Sequence, residues 1–161
     1  RTVRKERYNR IIEHTVFKKI IKEIEELEQN RIFCGHGMEH LLSVARIGYI
    51  DILENNYDIP KDVMYGAALL HDIGRAGQYR GEGSHSALGA KLAKQILKDC
   101  GYEKDEIDAI CVAILEHGEN NGQELLSQVL YRADKKSRNC FLCGAYEDCN
   151  WNENKKNRGI V

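Results

Sequence analysis

The chain has 161 residues and a mass of 18.4 kDa, with 42% apolar residues, 30% charged residues and a formal net charge of -1. That length suits one compact domain able to bury roughly 70% of its unfolded surface, and the balance excludes a disordered tail, a collagen-like fibre and a membrane-embedded bundle. No apolar run nears the ~18 residues of a spanning helix, no signal segment is apparent, and no net basic field offers phosphate neutralisation to nucleic acid.

A single proline favours long helices, and no strand alternation or internal repeat is visible. The expected class is all-α: a helical bundle over 1–136 with an irregular, cysteine-bearing tail over 137–161 packed on the same domain. Residues 3–29 predict one amphipathic helix, with Ile11, Ile12, Ile20, Ile21, Ile24 and Leu27 near one stripe. His14, mid-helix among polar neighbours, reads as a plain surface histidine. After a break at Cys34, Gly35 and Gly37, a second helix spans about 37–54, with Leu41, Leu42, Val44, Ala45, Ile47 and Ile50 as its apolar face.

Asp58 and Pro60 mark the next start, because proline suits a first helical turn. That helix carries Val63, Ala67, Leu69 and Leu70 and ends near His71-Asp72. Residues 74–83 hold Gly74, Gly77, Gly81 and Gly83 and predict a flexible loop. With Gln78, Tyr79 and Arg80 it is expected to act as a substrate lid. Ser84 caps a helix through Leu88, Leu92, Ile96 and Leu97. Asp105 starts another through Ile107, Ile110, Ile114 and Leu115, and a last one spans about 123–136.

Leu69-Leu70-His71-Asp72-Ile73-Gly74 is the chemical centre of the chain. An adjacent histidine and aspartate cannot share one helix face. At a helix terminus that bends, with Gly74 permitting the bend, both can turn toward one point. Imidazole and carboxylate together suit divalent transition ions. Three segments in order, His40-Leu41-Leu42-Ser43-Val44-Ala45-Arg46, Ala68 through Arg75 and Tyr131-Arg132-Ala133-Asp134-Lys135, resemble the HD-domain superfamily of metal-dependent phosphohydrolases over about residues 36–136.

That resemblance implies an HD-like helical bundle in which His40, His71, Asp72 and Asp134 hold a metal. In branches with two ions, histidines placed like His85 and His117 bind the second, with Asp72 bridging cations ~3.5–4 Å apart. The cofactors implied are one or two divalent ions of Fe, Mn, Zn, Ni or Co. The reaction implied is hydrolysis of a nucleotide or other small phosphate ester by metal-activated hydroxide. Arg75 and Lys135, each directly after a ligand, are candidates to meet the substrate phosphate, with a solvated surface charge as the plainer reading; the family often has lysine where Arg75 stands. His36, four residues before His40, is expected beside the ligands rather than among them. After His117 stands Gly118-Glu119-Asn120-Asn121-Gly122 in place of the Gly-Tyr-Pro signature of cyclic-dinucleotide phosphodiesterases, which argues against that branch.

The tail carries Cys140-Phe141-Leu142-Cys143 and then Cys149, a C-x2-C-x5-C spacing. A two-residue gap brings both thiolates to one site. Cys34 is the candidate fourth ligand, and the set suits zinc or a four-iron cluster. Cys100 and Cys111 read as small buried hydrophobes. Clustered thiols with no disulfide frame predict a reducing, cytoplasmic compartment. The expected partner is a small phosphorylated substrate, with no membrane; the absence of a basic stripe argues against nucleic acid, and oligomeric state has no signature. Two other functions are compatible with the same residues: a di-iron oxygenase on the same fold, and a non-catalytic metal-binding sensor or interaction module.

Overall fold

The computed structural model describes residues 6–118 and 122–160. The first residues of the helix expected over 3–29, the segment 119–121 read against the Gly-Tyr-Pro signature, and residue 161 lie outside the described residues. Among the described residues all regular structure is helical: α1 (Tyr8–Glu13), α2 (Thr15–Leu27), α3 (Met38–Asn55), α4 (Lys61–Leu70), α5 (Arg75–Tyr79), α6 (His85–Asp99), α7 (Lys104–Glu116), α8 (Leu125–Lys136) and a 3-10 turn, Cys140–Leu142. No described helix is long and apolar enough to cross a membrane.

The bundle is organised around α4. Val63, Met64, Gly66, Ala67, Ala68, Leu69 and Leu70 are all buried, so this helix is apolar nearly all round, as a central helix must be. It packs against α1, α3, α6, α7 and α8. Leu41 and Val44 of α3, Ile96 and Leu97 of α6, Ile110 and Ile114 of α7, and Val129 and Leu130 of α8 close the core around it. Each such side chain contributes roughly 1.5–3 kcal/mol when fully buried. Because α4 ends at Leu70, the residues that follow are delivered to the middle of the bundle.

Two expected elements are different in the structure. The 3–29 helix is broken at His14, whose backbone is extended (ψ 128°). His14 is not a plain surface residue: its Nδ1 accepts the Val16 N–H at 3.1 Å and its Nε2 lies 2.9 Å from Asp99. Histidine thus caps α2 where serine, threonine, asparagine or aspartate is usual, and residue type carries no warning of it. The 74–83 segment is half helix, with α5 taking 5 of its residues. Ala76 and Gly77 of α5 are buried, and α5 packs on α2 and α6. Only the turn after it is irregular, with Gly81 (φ +75°) and Gly83 (φ +145°) in backbone conformations that favour glycine. Tyr79 donates to Glu28 at 2.5 Å, and Arg80 pairs with Glu23 and with Glu82. These contacts fasten the segment down, contrary to a mobile lid.

Smaller departures follow from packing. Ile12, Leu27 and Ile50, placed on apolar faces by periodicity, are exposed. Pro60 is the N-cap of α4. Ser84 caps α6 as expected, accepting the Ala87 N–H at 3.2 Å. A capping box of Glu103 and Glu106 starts α7 one residue ahead of Asp105. Cys100 is buried, as expected, and Cys111 is half-buried with its thiol 3.6 Å from the Ala90 carbonyl.

Candidate metal centre

His40 rises from the first turn of α3, His71 and Asp72 follow α4, and Asp134 comes from the last turn of α8. All four are buried. His40 Nε2 lies 3.0 Å from Asp72 Oδ2 and 3.1 Å from Asp134 Oδ1. His71 Nε2 lies 3.0 Å and 3.5 Å from the same two atoms. The four ligand atoms lie within 4.8 Å of one another, and so do those of a second group, Asp72, His85 and His117. His117 Nε2 is 3.5 Å from Asp72 Oδ1 and 3.2 Å from His85 Nε2. Asp72 is common to both groups, one carboxylate oxygen turned to each.

Backbone and hydroxyl groups set the histidine tautomers. His71 Nδ1 donates to the Ala68 carbonyl and His117 Nδ1 to the Ile114 carbonyl, each at 2.6 Å. Both residues stand just past a helix C-terminus, where free carbonyls are available and a cation is favoured by the dipole. Ser137 Oγ gives its single proton to the Asp134 carbonyl at 2.6 Å, so at 3.2 Å it accepts from His40 Nδ1. With Nδ1 so committed, the neutral form of each of the three rings carries its lone pair on Nε2, the nitrogen a metal needs. His71 Nε2 is buried without a hydrogen-bond partner. These donors fit divalent transition ions of the imidazole–carboxylate class.

Electrostatics agree with that fit. Burial pulls the His71 pKa down, but Asp72 and Asp134 reverse this and carry it up to about 10. Burial raises the Asp72 and Asp134 carboxyls, and the surrounding histidines overturn that, holding both well below the usual range. Concentrated negative charge therefore attracts a cation, which is a proton when no metal is bound. At His85, burial and then the Arg75 guanidinium lower the pKa to about 4, so it is neutral and ready as a ligand near pH 7.

His36 lies beside the ligands and outside both groups. Its ring stands 5.9 Å from that of His40, and its Nδ1 pairs closely with Glu28 Oε2 while its backbone N–H donates to Glu28 Oε1 at 2.7 Å. Burial lowers its pKa. Burial would raise the Glu28 carboxyl, but the bonds from His36 and Tyr79 bring it to about 2. Arg75 Nε is buried, 3.6 Å from Asp72 Oδ1, and Lys135 Nζ is 3.4 Å from Asp134 Oδ2. Sequence reading missed Glu28 and Ser137. Both act through contacts that no local motif announces.

The centre opens into a cavity of about 1040 Å³, lined among others by His36, His40, Asp72, Arg75, Asp134 and Lys135. Cys34, Cys140, Cys143 and Cys149 line the same cavity. All six cysteines are free, and among the described residues no three cysteine sulfurs lie within 4.8 Å of one another.

A helical bundle carrying a His/Asp centre of this order is the architecture of a metal-binding HD domain. The chain belongs to the HD domain family, which matches residues 37–139; HD domains bind divalent metals, and here the histidine–aspartate group is the place for one. A Clostridium beijerinckii protein described only as uncharacterized is 36% identical over 152 residues, covering 94% of this chain and 96% of its own. Ribonuclease Y of Nitratidesulfovibrio vulgaris strain DP4 is 32% identical over 124 residues, and ribonuclease Y of Acetivibrio thermocellus 26% identical over 139. These cover 77% and 84% of this chain, which spans 22% and 25% of the two ribonucleases. The crystal structure of a predicted HD superfamily hydrolase from an uncultured Thermotogales bacterium superposes with a TM-score of 0.63 at 20% identity, covering 86% of this chain and 80% of that one.

Proposed function

We propose that the chain is a two-cation phosphohydrolase acting on a nucleotide or other small phosphate ester. The observation that carries this reading is the placement of Asp72, with Oδ2 facing His40 and His71 and Oδ1 facing His117. When bound, a pair of divalent ions supplies the acidity that makes hydroxide near neutral pH and offsets charge on phosphate oxygens. His40, His71 and Asp134 would hold one ion and His85 and His117 the other, with Asp72 common to both groups. Arg75 and Lys135, at the edge of these groups, present positive charge to the phosphate from the cavity side. His36, held by Glu28, closes the wall beside His40.

The test is phosphate release from a panel of nucleoside mono-, di- and triphosphates by protein loaded with Mn, Fe, Co or Ni. A phosphodiester and a single-stranded oligoribonucleotide belong in the panel, because relatives bear the name ribonuclease Y. Turnover of a small ester, lost in Asp72→Asn, is the expected result. Cleavage of the oligoribonucleotide alone would replace the small substrate with RNA. Oxygen uptake by the iron-loaded protein without phosphate release would point to an oxygenase, and metal binding with neither reaction would leave a sensor or interaction module.

A further inference from the structure

The tail has little to hold it by ordinary means. Among residues 137–160 only Ala145 is buried, and the sole regular element is the 3-10 turn at Cys140–Leu142. Leu142 and Ile160 are almost wholly in solvent. Segments with so small an apolar core are ordinarily stapled by disulfides or a metal, and no cysteine here is in a disulfide. The segment nevertheless follows a defined path. Asn157 Nδ2 donates to the carbonyls of Lys135 and Arg138 at 2.8 and 2.7 Å. Arg138 Nη1 reaches back across the chain to the Gly35 carbonyl at 2.6 Å, and Arg31 Nε donates to the Cys34 carbonyl at 3.1 Å.

Arg138 thus joins the tail to the loop of Cys34, and Cys34, Cys140, Cys143 and Cys149 line the same cavity. A single zinc ion, with Zn–S near 2.3 Å, holds its thiolates within about 3.8 Å of one another. No three of these sulfurs are so gathered, nor even within 4.8 Å. A four-iron cluster asks for a wider arrangement, because each thiolate binds a different iron at its own corner. Such a cluster with four thiolates is anionic, and Arg31 and Arg138 line the same cavity.

We propose that Cys34, Cys140, Cys143 and Cys149 bind a four-iron, four-sulfide cluster in the wall of the substrate cavity, stapling the tail to the bundle. Uptake is a ligand exchange from a thiolate-ligated carrier of a preformed cluster. Each cysteine thiol bonds one iron and passes its proton to the carrier thiolate whose bond to that iron breaks, and no electron changes hands. Cys100 and Cys111 take no part.

The test is iron and acid-labile sulfide analysis of the full chain, produced and purified without oxygen. The expected result is about four sulfides per chain and visible absorption that bleaches on reduction. Sulfide reports on the cysteines alone, since the His/Asp centre binds none. Asp72→Asn is therefore expected to keep its sulfide even where divalent-ion binding and turnover are lost. Cys140→Ser, Cys143→Ser and Cys149→Ser are each expected to bring sulfide to background, and Cys111→Ser to leave it unchanged. About one zinc per chain without sulfide, or neither metal nor sulfide beyond the His/Asp centre, overturns the cluster whatever the folding of the variants. Full sulfide retention in Cys34→Ser overturns the assignment of the fourth ligand.

Discussion

At the level of single residues, the centre depends as much on what orients the ligands as on the ligands themselves. Ser137 is the clearest case. Its hydroxyl has one proton, committed to the Asp134 carbonyl, so it can only accept from His40 Nδ1. Ser137→Ala leaves every ligand in place but frees the His40 ring to take the wrong tautomer. Changes of this kind cost 10–100-fold in metal affinity or activity, and a loss of about that size in competitive metal titration is expected, with the helical signal intact. A fall of less than about twofold would show that Ser137 does not set the ring. His71 carries a second prediction. Its pKa near 10 in the metal-free protein means that it is protonated throughout the neutral range. Metal needs the neutral ring, so binding expels a proton. Affinity therefore rises with pH, by roughly tenfold per unit where one proton is exchanged. Calorimetry in buffers of different ionisation enthalpy measures that proton directly, and buffer-independent heats at pH 7 would contradict it.

At the level of helices, the decisive joint is the one between α4 and α6. The doublet is followed by Gly74, expected to allow a bend. Its backbone is instead ordinary for a helix (φ -71°, ψ -9°). The requirement is closeness: a Cβ at Gly74 would lie 1.9 Å from the His85 carbonyl oxygen and 2.6 Å from the Gly89 nitrogen. Gly74→Ala must push the start of α6 away, and with it His85. The first group, His40, His71, Asp72 and Asp134, draws on α3, α4 and α8 and is spared. Elemental analysis is expected to show about one divalent ion where the proposed function expects about two in the parent, and unchanged stoichiometry would refute this account of the joint. The same joint shows what sequence can and cannot tell. His40, His71, Asp72 and Asp134 were legible through the resemblance of their three segments to the HD family, and the apolar helices α3, α4 and α8 beside them account for where those segments lie. The helix at 75–79 was not, because glycine content masked a turn whose Ala76 and Gly77 are buried by tertiary packing. The break at His14 was hidden for the opposite reason: its neighbours suit a continuous helix, and the cap is a residue type with no capping signature.

At the level of the whole molecule, the bundle is closed by a buried ionic knot that periodicity does not encode. Arg7 Nε donates to Asp62 Oδ2 at 2.9 Å, and its terminal nitrogens reach Glu106 at 2.7 and 2.6 Å and the Gly101 carbonyl at 3.1 Å. The guanidinium lies over the Tyr102 ring, 4.4 Å from its centroid, while the Tyr102 hydroxyl donates to the Asp62 carbonyl at 2.9 Å. Asp62 also accepts the Tyr8 N–H at 3.1 Å. One arginine thus ties the segment leading into α1 to α4 and α7. Arg7 and Asp62 are both buried; without Asp62 the guanidinium still has Glu106, whereas without Arg7 the buried Asp62 carboxylate loses its cation. Arg7→Ala is expected to lower unfolding free energy by about 3–5 kcal/mol, measured by denaturant titration of the metal-free protein, and Asp62→Ala by less, because Glu106 still holds the guanidinium. Replacing Arg7 and Asp62 together by apolar residues is expected to cost less than Arg7→Ala alone, since Asp62 is then not left charged. If the double variant is no more stable than Arg7→Ala, the loss comes from packing around Tyr102 and Tyr8 instead. Neither outcome touches the donors of the metal centre, so folded Asp62→Ala protein at saturating metal is expected to bind the parental number of ions, which separates the knot that closes the bundle from the ligands that the bundle positions.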